Sequence, residues 1–253
     1  MEVSGINMLN SNYLVFNSIN ELVEDLDNSK DLNRGCSSDK ENYGSWCDTS
    51  NYEEARMYLT QGRLYDDLGA DIEKYHTKGT STKRSNELSV QGHTVVVPLY
   101  LQGIPNSMIT SKRKINNKVI TIVYSPQAPY YVSNSELIEG ATKLFKNIVS
   151  LESEGYRVNL YVVECNDNKF GYALKLKTDR ETLNIKKMCF PLVSSSFLRR
   201  IGFRIKERLY KDWIGGGYGS GLFNYNETDM FIKKYLKVRN YEIWNYQGKK
   251  SPR

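Results

Sequence analysis

The sequence predicts an α/β fold with a central, mostly parallel sheet, flanking helices and a helical N-terminal portion. Three adjoining segments support this prediction: a run of β-branched residues at 119–124, an amphipathic helix at 133–153 and a second apolar run at 158–163. A strand, a helix and a strand in that order form a βαβ unit, whose two strands are parallel neighbours. The chain has 253 residues, of which 40% are hydrophobic, and this is enough apolar material to build a core around that unit.

The N-terminal part of the chain is predicted to be helical. We expect residues 1–92 to form an acidic helical portion that packs on an α/β domain of residues 93–253, so that the two make one structural unit. Residues 17–29 carry apolar side chains at helical spacing behind residues that can cap a helix. A second helix is predicted to begin within Asp48–Asn51, four residues that can each act as an N-cap, and to end at Gly62, since glycine is common just past the end of a helix.

Further elements are predicted on both sides of the βαβ unit. They are, in order, a basic linker at 77–91, an edge strand at 95–101, a strand at 172–177, a helix at 194–211 and short strands at 230–232 and 241–244. Pro98 makes the strand at 95–101 an edge strand or a broken one, because proline cannot donate a hydrogen bond to a neighbouring strand. Three serines at 194–196 can cap the helix that follows them.

Charge is distributed unevenly along the chain. Of its 35 Lys and Arg and 29 Asp and Glu residues, 7 and 15 respectively lie in residues 1–80, which leaves 28 and 14 for the rest. Two interpretations stay open. Either the acidic N-terminal portion lies across a basic body, or separate solvated faces differ in sign.

The cysteines and histidines are too scattered to predict a metal site. They are Cys36, Cys47, Cys165, Cys189, His76 and His93. None of the cysteines forms a CxxC pair, whereas a structural zinc site needs four closely spaced thiolates or imidazoles. We therefore expect no metal and no cofactor, and we expect free thiols in a reducing cytosol.

The hydropathy pattern predicts neither a membrane protein nor a classically secreted one. No apolar run approaches the roughly 20 residues that a helix needs to cross a bilayer. The first 12 residues lack both the basic and the apolar regions of a signal peptide.

Two segments contain groups of the kind found in active sites, but neither predicts catalysis. The glycine-rich stretch 215–221 lacks the GxxxxGK[ST] pattern of a phosphate-binding loop. The turn at 124–129 follows a predicted parallel strand, where α/β folds bind ligands, yet it holds no carboxylate and no basic group. Ser125 would need a base to act as a nucleophile, and none is indicated. We therefore expect no catalytic residues.

The predicted helix at 194–211 is rich in basic residues. Arg200, Arg204 and Lys211 recur at spacings that can place them on one face, with the apolar side chains on another. Such a face can bind phosphates without reading sequence, so these three residues are candidates for nucleic-acid binding. The alternative is a solvated helix whose arginines pair with the acidic N-terminal portion.

The βαβ unit resembles the core of von Willebrand factor A-like domains. In that family the first strand ends in a DxSxS motif, whose aspartate and serines hold a metal ion. The matching stretch here is 124–128, where Ser125 corresponds and the aspartate is absent. The resemblance implies a degenerate core of this type that binds no metal.

A series of short motifs spans most of the chain. They are Gly44–Trp46, Asn51–Ala55 with Gly62, Leu101–Met108, Glu154–Val158 and Phe197–Phe203. In this order they resemble a family of uncharacterised proteins encoded by tailed bacteriophages. The resemblance implies a viral origin and a single α/β domain.

Together these observations lead us to expect a non-catalytic, phage-encoded binding or assembly protein. It would act in the cytoplasm of the infected bacterium, with a phage or host protein as its partner. The alternative is a nucleic-acid-associated protein without sequence preference, acting in phage DNA replication or packaging through Arg200, Arg204 and Lys211.

Overall fold

The computed structural model describes residues 13–28, 47–65, 84–113, 118–166, 170–209 and 223–251. The strands are β1 Tyr13–Phe16, β2 Arg84–Ser89, β3 Thr94–Val95, β4 Met108–Arg113, β5 Val119–Tyr124, β6 Arg157–Asn166, β7 Phe170–Lys177 and β8 Tyr241–Trp244. The α-helices are α1 Ile19–Asn28, α2 Tyr52–Gln61, α3 Val97–Leu101, α4 Asn134–Ser153, α5 Ile185–Val193, α6 Phe203–Leu209 and α7 Tyr225–Phe231. Two π-helical turns lie at Phe197–Gly202 and Ile232–Leu236.

A five-stranded central sheet organises the fold, in the order β1-β7-β6-β5-β8. The pairs β1–β7, β6–β5 and β5–β8 are parallel, whereas β6 and β7 are antiparallel. The predicted α/β class with a mostly parallel sheet and flanking helices is therefore confirmed. So is the βαβ unit, since β5 and β6 are parallel neighbours joined by α4.

Both faces of the central sheet are covered, which explains the continuous apolar run of β5. Ile122 and Tyr124 face a larger core shared with α1, α2, α4 and α5. Val123 faces a smaller core on the other side, with Phe231 from α7. Successive residues of a strand point to opposite faces, so a strand that is buried on both faces needs apolar side chains at every position.

A capping box begins the helix α4, and a glycine within it allows a close contact with the C-terminal turn. Ser133 and Glu136 form the predicted capping box, in which each side chain bonds the backbone of the other residue. Gly140 allows the C-terminal turn to approach the helix closely. A Cβ atom at residue 140 would lie 1.9 Å from the backbone oxygen of Tyr246.

The N-terminal portion contributes a strand to the central sheet as well as helices. Strand β1 pairs with β7, so that Tyr13 lies opposite Gly171. Helices α1 and α2 then pack against the larger core through Leu22, Leu26 and Leu59.

Several predicted elements differ from the observed ones. The predicted linker contains β2, and Pro98 lies in the first turn of α3, where its missing N–H leaves no helical bond unmade. The predicted strand at 230–232 belongs to the end of α7 and the π-helical turn after it. This helix begins at Asn224, whose side chain accepts hydrogen bonds from two backbone N–H groups.

Residues 84–113, which we call the arm, form a separate antiparallel sheet in the order β2-β4-β3 and carry α3. We call the five-stranded sheet and the helices that pack on it the central domain. No residue of the arm belongs to the hydrophobic clusters of the central domain. Within the six described ranges, no helix is long and apolar enough to span a membrane.

Candidate functional site

Arg200 is fully buried, so the prediction that it lies on an exposed basic face is wrong. Its guanidinium donates hydrogen bonds to the backbone carbonyl oxygens of Thr49 (3.0 Å) and Ser50 (2.8 Å). Because Phe197–Gly202 is a π-helical turn, its side chains do not follow the 3.6-residue period from which a shared face was predicted. Arg200 therefore ties the N-terminal portion to the central domain.

Of the other two residues of the predicted basic face, only Arg204 lies in the described part of the chain. Arg204 is half-buried, and its guanidinium lies 3.9 Å from the ring centre of Tyr52 in α2. Lys211 lies outside the described residues. Nucleic-acid binding by Arg204 and Lys211 stays a prediction.

Asp48 joins the N-terminal portion to the three-serine segment at 194–196. Its Oδ2 atom accepts hydrogen bonds from Arg63 (3.0 Å), Tyr65 (2.5 Å) and Ser194 (3.0 Å). Burial, together with the Asp48 carboxylate, raises the pKa of Tyr65. Because Arg63 pairs with the same oxygen that Ser194 contacts, the arrangement is suited to anchoring the segment and not to activating a serine.

A buried ion pair lies beside the π-helical turn. Glu164 on β6 is almost completely buried and pairs with Lys206 on α6. The Lys206 ammonium also lies 5.6 Å and 5.4 Å from the ring centres of Phe170 and Phe203, where cation–π attraction stabilises it. Gly202 leaves room for the pair, since a Cβ atom there would lie 2.8 Å from the Glu164 carboxylate.

The turn after β5 lies at the carboxyl end of the parallel strands, as predicted, but its polar side chains are engaged internally. Ser125 is buried, and its hydroxyl donates to the Gln127 side-chain oxygen at 3.2 Å. The amide nitrogen of Gln127 in turn donates to the backbone oxygen of Cys165 at 2.7 Å. These bonds fasten the turn to β6.

A narrow cleft adjoins this turn and receives residues that the sequence analysis did not place there. Its lining includes Pro126 from the turn, Leu192 from α5, and Ser195 and Arg199 from the segment after α5. The guanidinium of Arg199 donates to the backbone oxygen of Pro129 at 3.2 Å, and burial lowers the pKa of Arg199. The cavity volume of about 10 Å³ has room for roughly one water molecule. No local signal marks Ser195 and Arg199, because they come from a segment about 70 residues away in sequence.

The described part of the chain shows where three of the four cysteines lie and which potential metal ligands lie close together. There, no group of three or more His, Cys, Asp or Glu side chains could hold a metal ion. Cys47, Cys165 and Cys189 are buried free thiols, and burial raises the pKa of Cys189 to about 12. A thiol of that pKa is protonated and unreactive near neutral pH. Cys36, His76 and the glycine-rich stretch 215–221 lie outside the described residues.

The arm differs from the rest of the molecule in what it exposes. Thirteen large apolar side chains are exposed among the described residues, and seven of them lie in its 30 residues. These seven are Leu88, Val90, Val95, Val97, Tyr100, Leu101 and Ile104, with exposed fractions from 39% to 78%. At roughly 200 Å² for a fully exposed large apolar residue, they present on the order of 800 Å² to solvent.

The strand register distributes the apolar side chains over both faces of the arm. Ile109 lies opposite Leu88 on one side and Thr94 on the other, so these three share one face. Met108 lies opposite Val95 and therefore belongs to the other face. Both faces of the arm therefore carry apolar side chains, Leu88 and Ile109 on one and Val95 and Met108 on the other.

The sequence around the arm is basic. Residues 78–118 contain seven Lys or Arg residues and a single acidic residue, Glu87. Strand β2 forms one edge of the arm sheet and pairs with β4 only on its inner side. The described part of the chain supplies no strand for its outer side.

One of three comparisons with known proteins identifies a family for this chain. The chain matches the family model described as domain of unknown function DUF7192 over residues 6–250. No curated protein and no solved structure matches the chain. The matched region covers most of the chain, including the central sheet, the buried ion pair and the arm, so the protein belongs to the DUF7192 family.

Proposed function

We propose that this protein is a non-catalytic binding or assembly protein that contacts a protein partner through the arm. The single observation that carries the proposal is the exposed apolar surface of the arm. The largest apolar patch on an ordinary monomer covers roughly 300–600 Å², and larger ones mark interaction sites. The exposed apolar residues of the arm together present an area of that order within only 30 residues, spread over its two faces.

The central domain supports the arm without needing it for its own core. The clusters on either side of the central sheet contain no arm residue. A surface that the domain does not use for folding is available for a partner, and burying it contributes to association in proportion to the apolar area.

The proposal includes an origin and a location. We propose that a tailed bacteriophage encodes the protein and that it acts in the cytoplasm of the infected bacterium. The ordered series of motifs quoted above supports this origin. We also propose a degenerate von Willebrand factor A-like core with a helical N-terminal portion, which is supported by the β5–α4–β6 unit with Ser125 directly after β5.

The experiment is affinity capture from bacterial lysate with three versions of the full chain. They are the wild type, an arm variant with Val97→Ser, Tyr100→Ser and Leu101→Ser, and a control variant with Tyr130→Ser, Tyr131→Ser and Met230→Ser. All six positions are exposed apolar or aromatic side chains, and only the first three lie in the arm. We expect a partner protein that the wild type and the control variant retain and that the arm variant loses.

Two results would count against the proposal. Equal capture by all three versions would move the contact away from the arm. Loss of the partner after nuclease treatment of the lysate would favour the alternative, a nucleic-acid-associated protein without sequence preference, for which the basic stretch 78–118 is the supporting observation.

A further inference from the structure

We infer that the partner of the arm is a second copy of this chain, and that two arms pair antiparallel along β2. This inference rests on the proposed function above and specifies its partner. The resulting dimer is intertwined, because the tip of each arm, residues 90–107, lies against the body of the other copy.

The outer edge of β2 is the part of the arm that can be extended. Strand β2 has six residues, contains no proline or glycine, and is hydrogen-bonded to β4 along its whole length. An edge strand presents unpaired backbone N–H and C=O groups that can template another strand. A two-fold axis relates equivalent strands in opposite directions, so self-pairing of β2 is antiparallel, as its pairing with β4 already is.

Antiparallel pairing also covers the apolar tip. Self-pairing centred on residue 86 places residue 84 of one copy opposite residue 88 of the other, so each tip lies beside the base of the partner arm. Six of the seven exposed apolar side chains belong to the tip, and Leu101 is 78% exposed. A partner that met only one face of the arm would leave the other face in water, so the inferred dimer requires each tip to lie between the arm and the body of the other copy.

The available area matches what a dimer needs. A standard stable interface buries about 800 Å² on each partner. The seven apolar side chains of the arm present on the order of 800 Å² in each copy. In a two-fold dimer each copy contributes the same surface, so both sides meet the requirement at once.

The charge pattern is compatible with this geometry. The basic residues of the arm lie at its base, at Arg84 and at Lys112 and Arg113. In the centred pairing the two copies of residue 84 are offset by four residues, or about 14 Å along the strands. Like charges at that distance are screened at physiological ionic strength, where the Debye length is about 8 Å.

The test is the mass of the full chain in solution, measured by light scattering after size exclusion over a range of micromolar concentrations. We expect the wild type and the control variant to have twice the chain mass of 29.2 kDa, and the arm variant to have 29.2 kDa at the same loading. Hydrogen exchange should show the amides of residues 84–89 becoming more protected as the wild-type concentration rises.

Three results overturn the inference: a wild type that is monomeric throughout, an arm variant that stays dimeric, or a dimer without protection of residues 84–89. Thermal unfolding checks that the arm variant is folded, and Leu101→Ser alone replaces it if it is not. A monomeric wild type that still captures a partner through the arm would refute the self-association and leave the proposed function standing.

Discussion

The central domain and the arm place their polar and apolar side chains in opposite ways. The central domain buries charged groups, among them Arg200 and the Glu164–Lys206 pair. The arm exposes apolar groups such as Tyr100 and Leu101. Each buried charge has partners within the chain, whereas the described chain supplies nothing that covers the apolar groups of the arm.

Because of this difference, the charged groups of the central domain contribute to folding, whereas the apolar groups of the arm contribute to association. A buried charge is stable only while its partners stay in place, so the charged groups of the domain lock its segments into one arrangement. The exposed side chains of the arm contribute little to folding and become useful when a partner removes them from water. Substitutions in the domain should therefore change stability, and substitutions in the arm should change association.

The largest effect is expected from breaking the buried ion pair. Glu164→Ala leaves the Lys206 ammonium buried without its carboxylate, and the free energy of unfolding should fall by about 4 kcal/mol. Urea denaturation measures this loss. The control is Glu164→Gln with Lys206→Met, which removes both charges and should recover most of the stability. A loss below about 1 kcal/mol for Glu164→Ala would mean that the buried charges do not lock the domain.

Arg200→Ala tests the correction to the predicted basic face. It removes two hydrogen bonds from a charged donor to the carbonyls of Thr49 and Ser50, and it leaves a cavity. The free energy of unfolding should fall by about 3 kcal/mol. An arginine on an exposed phosphate-binding face would leave stability nearly unchanged, so a loss under about 0.5 kcal/mol would restore the original prediction.

Alanine substitutions at two glycines, one in the central domain and one in the arm, should destabilise the protein to different extents. Gly202→Ala should cost about 2 kcal/mol by overpacking, because its Cβ atom would lie 2.8 Å from the Glu164 carboxylate. Gly103 in the arm has open space around it, so Gly103→Ala should cost about 1 kcal/mol, from its left-handed backbone at φ 71° alone. Thermal unfolding of the two variants, with wild type beside them, checks the order. The reverse order would show that the π-helical turn yields more easily than the arm.

Alkaline pH should weaken the domain through buried hydroxyls. Burial raises the pKa of Tyr52 from 10.0 to about 12, so its contribution is fully present below pH 10 and is lost between pH 10 and 12, as the unfolded chain ionises first. Tyr52→Phe should remove about 1 kcal/mol of the fall in stability between pH 10 and 11. At pH 7 it should match the wild type within about 0.5 kcal/mol. Parallel stability curves for both proteins across that range would contradict the assignment.

The smallest effect on folding is expected in the arm. Leu101→Ser changes a side chain that is 78% exposed, so the free energy of unfolding, measured at a concentration where the chain is monomeric, should change by less than about 0.5 kcal/mol. The change should instead reduce self-association. A loss above about 1 kcal/mol would show that the arm is packed in the monomer and would break the comparison.

Local sequence patterns predict the structure correctly where that structure depends on neighbouring residues. The capping box at Ser133 and Glu136 and the apolar spacing behind it identify α4, and the β-branched run identifies β5. The prediction for Arg200 is wrong because it rests on an α-helical period, whereas a π-helical turn lies there. The predicted linker at 77–91 contains β2, a polar strand without the apolar alternation that would reveal it.

In the candidate site, too, one part could be predicted from the sequence and another part could not. The position of the turn at 124–129 followed from the order of strand and helix, because parallel strands place such turns at one edge of the sheet. The arrival of Arg199 beside that turn did not, since its hydrogen bond to Pro129 spans 70 residues.

The sequence by itself determined the α/β class, the βαβ unit and the cap of its helix, because short-range periodicity and capping chemistry act within a few residues. Only the tertiary structure decided which charges are buried and which apolar groups are exposed. Burial of Arg200 depends on carbonyl groups about 150 residues away. Leu101 is 78% exposed because no other described segment packs over it. Solvent exposure is a property of the whole packed chain, and a local pattern contains no information about which distant segment arrives.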